Sequence, residues 1–189
     1  MDTAMAILLG IGLSAAAGFR VFIPLLIVNI LAKLSYVTLA ENFDWLGSTS
    51  ATIAVSLAVI LELASSVIPV IDNIVKVLAT PLAIGAGIIL VASFMGGADP
   101  TFRWVISIVA GGGTATLTQI VSTTVRGTVN FVTAGAGGIV VTIFETLIAI
   151  IVTILSILMP ILSLVFLGVI IYFVMKVMKK RRDVSGAVA

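Results

Sequence analysis

The sequence predicts an all-α membrane protein of about six transmembrane helices, arranged as two three-helix halves. Three observations carry that expectation. Of 189 residues, 61% are apolar and only 10% are charged, where soluble domains run nearer ~45–50% and ~25%. The apolar residues fall into long runs. The order of small, acidic and proline residues in the first half also recurs in the second. A single domain of this length has too little interior to hide so much apolar surface, so lipid is the expected solvent.

The runs cover residues 4–31, 51–68, 81–95, 104–132, 138–158 and 160–178. A full span needs ~20 residues, with ~17 as a lower limit, so 81–95 is short. The segment before it, 69–80, carries Asp72, Asn73 and Lys76 among apolar residues at helical spacing. It reads as an interfacial helix feeding a short or tilted span. Four spans with two re-entrant segments is the alternative to six. The first eighteen residues imitate a signal peptide but lack its basic start. Their apolar run continues through Ile30, so they are expected to form a retained first helix.

The two halves are residues 1–100 and 101–178, followed by a basic cytoplasmic tail, 179–189. Gly12-Leu-Ser-Ala-Ala-Ala-Gly18-Phe-Arg20 has the rhythm of Gly112-Gly-Thr-Ala-Thr-Leu-Thr118-Gln119. Each half then has a span with one acid, Glu62 or Glu145, and a last span opened by Pro81 or Pro160. Glu62 precedes Pro81 by 19 residues and Glu145 precedes Pro160 by 15. That difference is about one helical turn and keeps the facing. Three spans per half is an odd number, so a duplication would be an inverted repeat, a ground plan common among transporters.

Five of the ten basic residues, Lys176, Lys179, Lys180, Arg181 and Arg182, form one C-terminal run. Such a run after a hydrophobic helix is expected to stay in the cytoplasm and attract anionic lipid headgroups. No aromatic platform accompanies it, so nucleic acid is not an expected partner. Six spans then put both termini of a multi-pass cell-membrane protein in the cytoplasm. Residues 32–50 (with Glu41 and Asp44) and 96–103 (with Asp99) face outward, and Lys76 and Arg126 face inward. Lys33 and Arg103 run against this bias. Phe43, Trp45, Phe102 and Trp104 are expected together at the outer boundary, where amphipathic rings settle.

Cysteine and histidine are both absent. Disulfides, thiolate metal sites, the commonest general base and the usual nucleophile dyads are thereby excluded. No metal, no cofactor and no enzymatic activity are expected. Gly111-Gly112-Gly113 is not a phosphate loop, because no Lys-Ser/Thr pair or strand accompanies it.

The residues that need explaining are polar groups inside apolar runs. Arg20 lies well inside the first, where a central arginine costs ~2.5–3.5 kcal/mol on insertion scales. It therefore needs a partner or an aqueous cavity, unless it snorkels to an interface, and Glu62 and Glu145 are both placed as partners. The fourth run is the least apolar, and Thr114, Thr118, Gln119 and Ser122 share one helical face. That face is enough to line a substrate or ion path, or alternatively to pack helices closely. Gly18 and Pro24 are expected to break the first helix, and Gly111, Gly112 and Gly113 the fourth.

Residues 12–24, the stretch from Glu62 to Asp72 with its Ile68-Pro69-Val70-Ile71-Asp72 core, and the Gly-rich third quarter have a further meaning. In this order they resemble the domain of unknown function 4126 family of bacterial integral membrane proteins. The resemblance implies a membrane architecture and brings no activity; it carries no role over to Thr118, Gln119 or Met159.

The residues together predict a small inverted-repeat transporter or channel-like protein. An unidentified solute, ion or lipid would meet Arg20, Glu62, Gln119 and Glu145 near the midplane. A scaffold or lipid-organising protein, with the charges only pinning helices together, is the rival. So small a chain has little room for a whole pathway, which makes a homodimer the expected assembly.

Overall fold

A computed structural model describes residues 2–65, 69–133, 137–165, 167–169, 172 and 176; within 69–77 and at 130 and 132 only the backbone is described. Every regular element among the described residues is helical. In order these are α1 (Thr3–Phe19), α2 (Phe22–Lys33), a 3-10 turn (Glu41–Gly47), α3 (Thr49–Ser65) and α4 (Pro69–Phe94). There follow α5 (Pro100–Ile106), a π-helical segment (Ser107–Gly112), α6 (Gly113–Val132) and α7 (Gly138–Leu158). A further apolar helix occupies Pro160–Val169. The tail 179–189 lies outside the described residues, as do the side chains of Asp72, Asn73 and Lys76.

Two helices, Pro100–Val129 and Gly138–Leu158, are long and apolar enough to cross a membrane. The 3-10 turn and α3, bent by 61° at their junction, make a third if taken as one span. Thr3–Phe19, Phe22–Lys33 and the Leu78–Phe94 part of α4 are shorter apolar helices. The expected first span is thus two helices, each below ~20 residues.

Pro81 departs from expectation. No helix starts there; it lies inside the unbroken 26-residue α4. A proline in a helix interior frees a carbonyl one turn back, and packed neighbours can absorb that cost. Pro160 does open a helix. Met159 leaves helical geometry (φ −146°, ψ 79°) and ends α7, and proline suits the first helical position that follows.

Helix α1 is the centre of the bundle. Gly12 through Phe19 are all buried, and the helix packs against α4, α6 and α7. Small residues permit this. A methyl group at Gly10 would stand 2.8 Å from Val91 Cα, and one at Gly12 would meet the hydroxyls of Ser156 and Ser163. Leu9, Leu13, Val28, Leu46, Leu90, Val91 and Met95 form the main apolar core. The outer faces stay apolar too: Ile53, Leu57, Ile60 and Leu61 of α3 and Ile143, Phe144 and Leu147 of α7 are exposed. Surfaces of that kind suit lipid, not water.

The expected aromatic cluster is present in part, with Phe43 and Trp104 ring centroids 6.3 Å apart. Close by in sequence, Asp99 caps α5 by accepting from the amides of Thr101 (2.9 Å) and Phe102 (3.2 Å). Buried Arg103 donates to the carbonyls of Gly96 and Ala98 beyond the end of α4.

Candidate functional site

The site forms where the chain leaves α1. Arg20 is extended (φ −143°, ψ 114°) and α2 begins at Phe22. Pro24 explains the position of this break. It has no N–H to give the Arg20 carbonyl four residues back, and its ring would clash there in a continuous helix. Pro24 itself sits in the first turn of α2, where a missing donor costs nothing. The break therefore falls at Arg20 and Val21, not at Gly18, which is in the last turn of α1. Gly18 serves contact instead: a side chain there would overlap the Thr118 hydroxyl.

The exposed start of α2 is satisfied from α3. Glu62 Oε1 accepts the Val21 amide at 2.7 Å, and Oε2 accepts the Phe22 amide at 3.2 Å. Unpaired amides and the positive end of the helix dipole both favour a carboxylate there. Glu62 is thus an N-cap supplied by another helix. It also lies within electrostatic reach of Arg20.

Glu145 of α7 binds the other side. Its Oε1 accepts from Ser122 Oγ at 2.5 Å and from Arg126 Nε at 3.0 Å. Its Oε2 accepts from Arg126 Nη2 and lies 3.9 Å from Arg20 Nη2. Arg20 Nη2 also donates to the Thr142 carbonyl at 3.3 Å. Arg20 and Glu145 are 3% and 4% exposed, whereas the Arg126 side chain keeps 18%. Both acids considered for Arg20 therefore surround it. Two guanidiniums and two carboxylates balance, as buried charge requires.

Thr142 adds a further polar group. Its Oγ1 is buried without a hydrogen-bond partner, one turn before Glu145.

The expected polar face of α6 divides. Ser122 joins the cluster. Thr118 is buried and turns its hydroxyl back to the carbonyls of Thr114 (3.0 Å) and Ala115 (3.2 Å). It packs on Gly18. Thr114 and Gln119 are half-buried and do not join the charges.

The fourth helix is also not broken as expected. Gly111 and Gly112 lie in a π turn, and Gly113 begins α6 without interruption. Ser14 Oγ donates to the Gly111 carbonyl at 2.5 Å, and a methyl group on Gly111 would stand 2.5 Å from the Gly87 carbonyl oxygen. Close backbone approach, not chain breakage, is what these glycines supply.

Sequence reasoning missed Arg126, which it placed toward an inner loop, and Thr142. The available signal was that Ser122 and Arg126 are one turn apart on one face.

A cavity of about 290 Å³ lies beside the cluster, lined by Ser122 and Glu145 and by apolar groups including Phe19, Val125, Phe144 and Ile148. A larger apolar groove of about 820 Å³ runs between α2, α3 and α7, with Ile23, Leu63 and Thr146 in its lining. No cluster of three or more acidic side chains able to hold a metal occurs among the described residues.

These features define an all-α protein of apolar helices, compatible with a membrane location, with two arginines and two glutamates brought together inside the bundle at a helix break. The chain belongs to the family named Domain of unknown function (DUF4126), whose family model matches residues 7–180. No curated protein and no solved structure matches the chain.

Proposed function

We propose that this chain is a small inverted-repeat membrane transporter or channel-like protein whose site is the Arg20, Glu62, Arg126 and Glu145 cluster. One observation carries the reading: four charged side chains converge at the break between α1 and α2, beside a cavity. Charges inside apolar helices are expensive, and function is their default explanation. Broken helices facing ionised groups are a recurring transporter device.

The repeat has structural support. Glu62 binds at positions 21 and 22 of its own half, and Glu145 binds Ser122 of its own half. Position 122 follows 22 by the offset that relates Gly112 to Gly12. In this proposal α1–α2, the turn with α3, α4, Pro100–Val129, α7 and the helix from Pro160 make six crossings. Both termini are cytoplasmic, the protein sits in the cell membrane, and the chain acts as a homodimer.

The scaffold reading has its own support in the closed α1–α6 contact at Gly18 and Thr118. Purified protein in liposomes separates the two. Flux of an ion or small solute that is lost in Glu145→Gln and Glu62→Gln, with both variants folded, supports transport. Absence of flux for every tested ion, solute and lipid sinks it in favour of the scaffold.

A further inference from the structure

We infer that Arg20, Arg126, Ser122 and Thr142 form a binding site for a small monovalent anion, and that the Glu145 carboxylate occupies it in the structure described. The inference rests on the transport reading for its role, since it names the class of cargo.

Glu145 is bound as a free anion would be. It takes an N–H fork from Arg126, a hydroxyl from Ser122 at 2.5 Å and a second guanidinium at 3.9 Å. The charges facing it are Arg20 from the α1–α2 junction, Arg126 from α6 and, across Arg20, Glu62 from α3. Glu62 accepts the Val21 and Phe22 amides at the positive start of α2 and also lies within electrostatic reach of Arg20. The four charges balance, and without the Glu145 carboxylate the cluster is left with one positive charge in excess. If that carboxylate turns away or takes up a proton, two guanidiniums and a hydroxyl remain converged. A cation would be repelled there, whereas an anion would be held.

Two further observations favour an exchange. Thr142 Oγ1 is buried beside the cluster with no partner, so a hydroxyl is available to donate. The adjoining cavity of about 290 Å³ gives the Glu145 side chain a place to go and is otherwise apolar. That lining excludes large hydrated solutes and suits a small, easily dehydrated anion. The step balances: one proton goes to the Glu145 carboxyl as one anion joins the arginines, so the net charge of the cluster is unchanged.

The test uses the full chain in detergent with bromide as probe. For Glu145→Gln at neutral pH, sodium bromide should raise Tm over sodium gluconate of equal strength by roughly 5 °C at a hundredfold excess over Kd. The wild type should show no difference. Adding Arg126→Gln to Glu145→Gln should abolish the effect. Equal melting of Glu145→Gln in the two salts overturns the inference. Should that variant not fold, the wild type decides: bromide must stabilise it increasingly as pH falls, and indifference to bromide at every pH overturns the site. Liposome flux separates this from the parent reading. Flux of a cation or neutral solute without any bromide effect leaves transport standing and removes the anion. A bromide effect without flux of anything keeps the anion site and removes transport.

Discussion

Gly18 of α1 and Thr118 of α6 meet with no room for another heavy atom. A methyl group at residue 18 would overlap the Thr118 hydroxyl and approach the Ala115 carbonyl oxygen to 2.6 Å. Gly18→Ala should therefore lower stability by about 1–3 kcal/mol, the usual cost of overpacking. Adding Thr118→Ala should recover only part, because the Ala115 carbonyl stays in place. Thermal unfolding in detergent is the measurement, and parental melting of Gly18→Ala would contradict the contact.

The cap that Glu62 places on α2 predicts a local effect. Glu62→Ala leaves the Val21 and Phe22 amides without their acceptor, at a cost of about 1–3 kcal/mol. Glu62→Gln, which keeps one acceptor oxygen, should lose less. Hydrogen exchange at residues 21 and 22 should rise in the order parent, Gln, Ala. Unchanged exchange in the alanine variant would remove the cap.

Arg126 is the principal partner of Glu145. Arg126→Leu strips a buried carboxylate of its fork and should cost about 3–5 kcal/mol. Combining it with Glu145→Leu should return much of that loss, since an apolar pair needs no counter-charge. Arg20→Leu should likewise be partly rescued by Glu62→Gln or Glu145→Gln. Double-mutant cycles on unfolding report both couplings, and strict additivity would show that the cluster is not a unit.

Topology is open to a clean test because the chain has no native cysteine. With both termini cytoplasmic, cysteine at Ser48 should react with an impermeant reagent on intact cells, and cysteine at Ser185 only after lysis. The reverse pattern would invert the protein.

Cysteine at Thr118 probes whether the closed α1–α6 contact ever opens. In the transporter reading it reacts with a small water-soluble thiol reagent, at a rate changed by Glu62→Gln or Glu145→Gln, because each acid biases the balance of states. A thiol that stays inert in all three backgrounds belongs to a scaffold.

Much of the site was legible from residue type and position. Arg20, Glu62 and Glu145 announced themselves as charges in apolar runs, and Pro24 fixes the break four residues before itself. Other features depend on neighbours that one sequence does not display. Thr118 reads as one residue of a polar face, but that its hydroxyl turns to its own backbone and its side chain meets Gly18 depends on a distant neighbour. The triple glycine signalled an irregularity, yet whether it breaks or bulges follows from how closely Gly87 and Ser14 come. Pro81 reads as a helix start, yet α4 continues through it. Arg126 lies inside the expected run 104–132, and only the approach of Glu145 from α7 shows that it turns into the bundle.

The central place of α1 has a consequence for biosynthesis. Helix α1 is synthesised before the helices that enclose it, α4, α6 and α7. Arg20 emerges 42 residues ahead of Glu62 and 125 ahead of Glu145. In that interval its guanidinium has no permanent counter-charge, and the Val21 and Phe22 amides have no cap. In the proposed membrane setting, the nascent segment would have to hold that arginine near water until its acids arrive. The burial of α1 is therefore completed only when the later helices have been made.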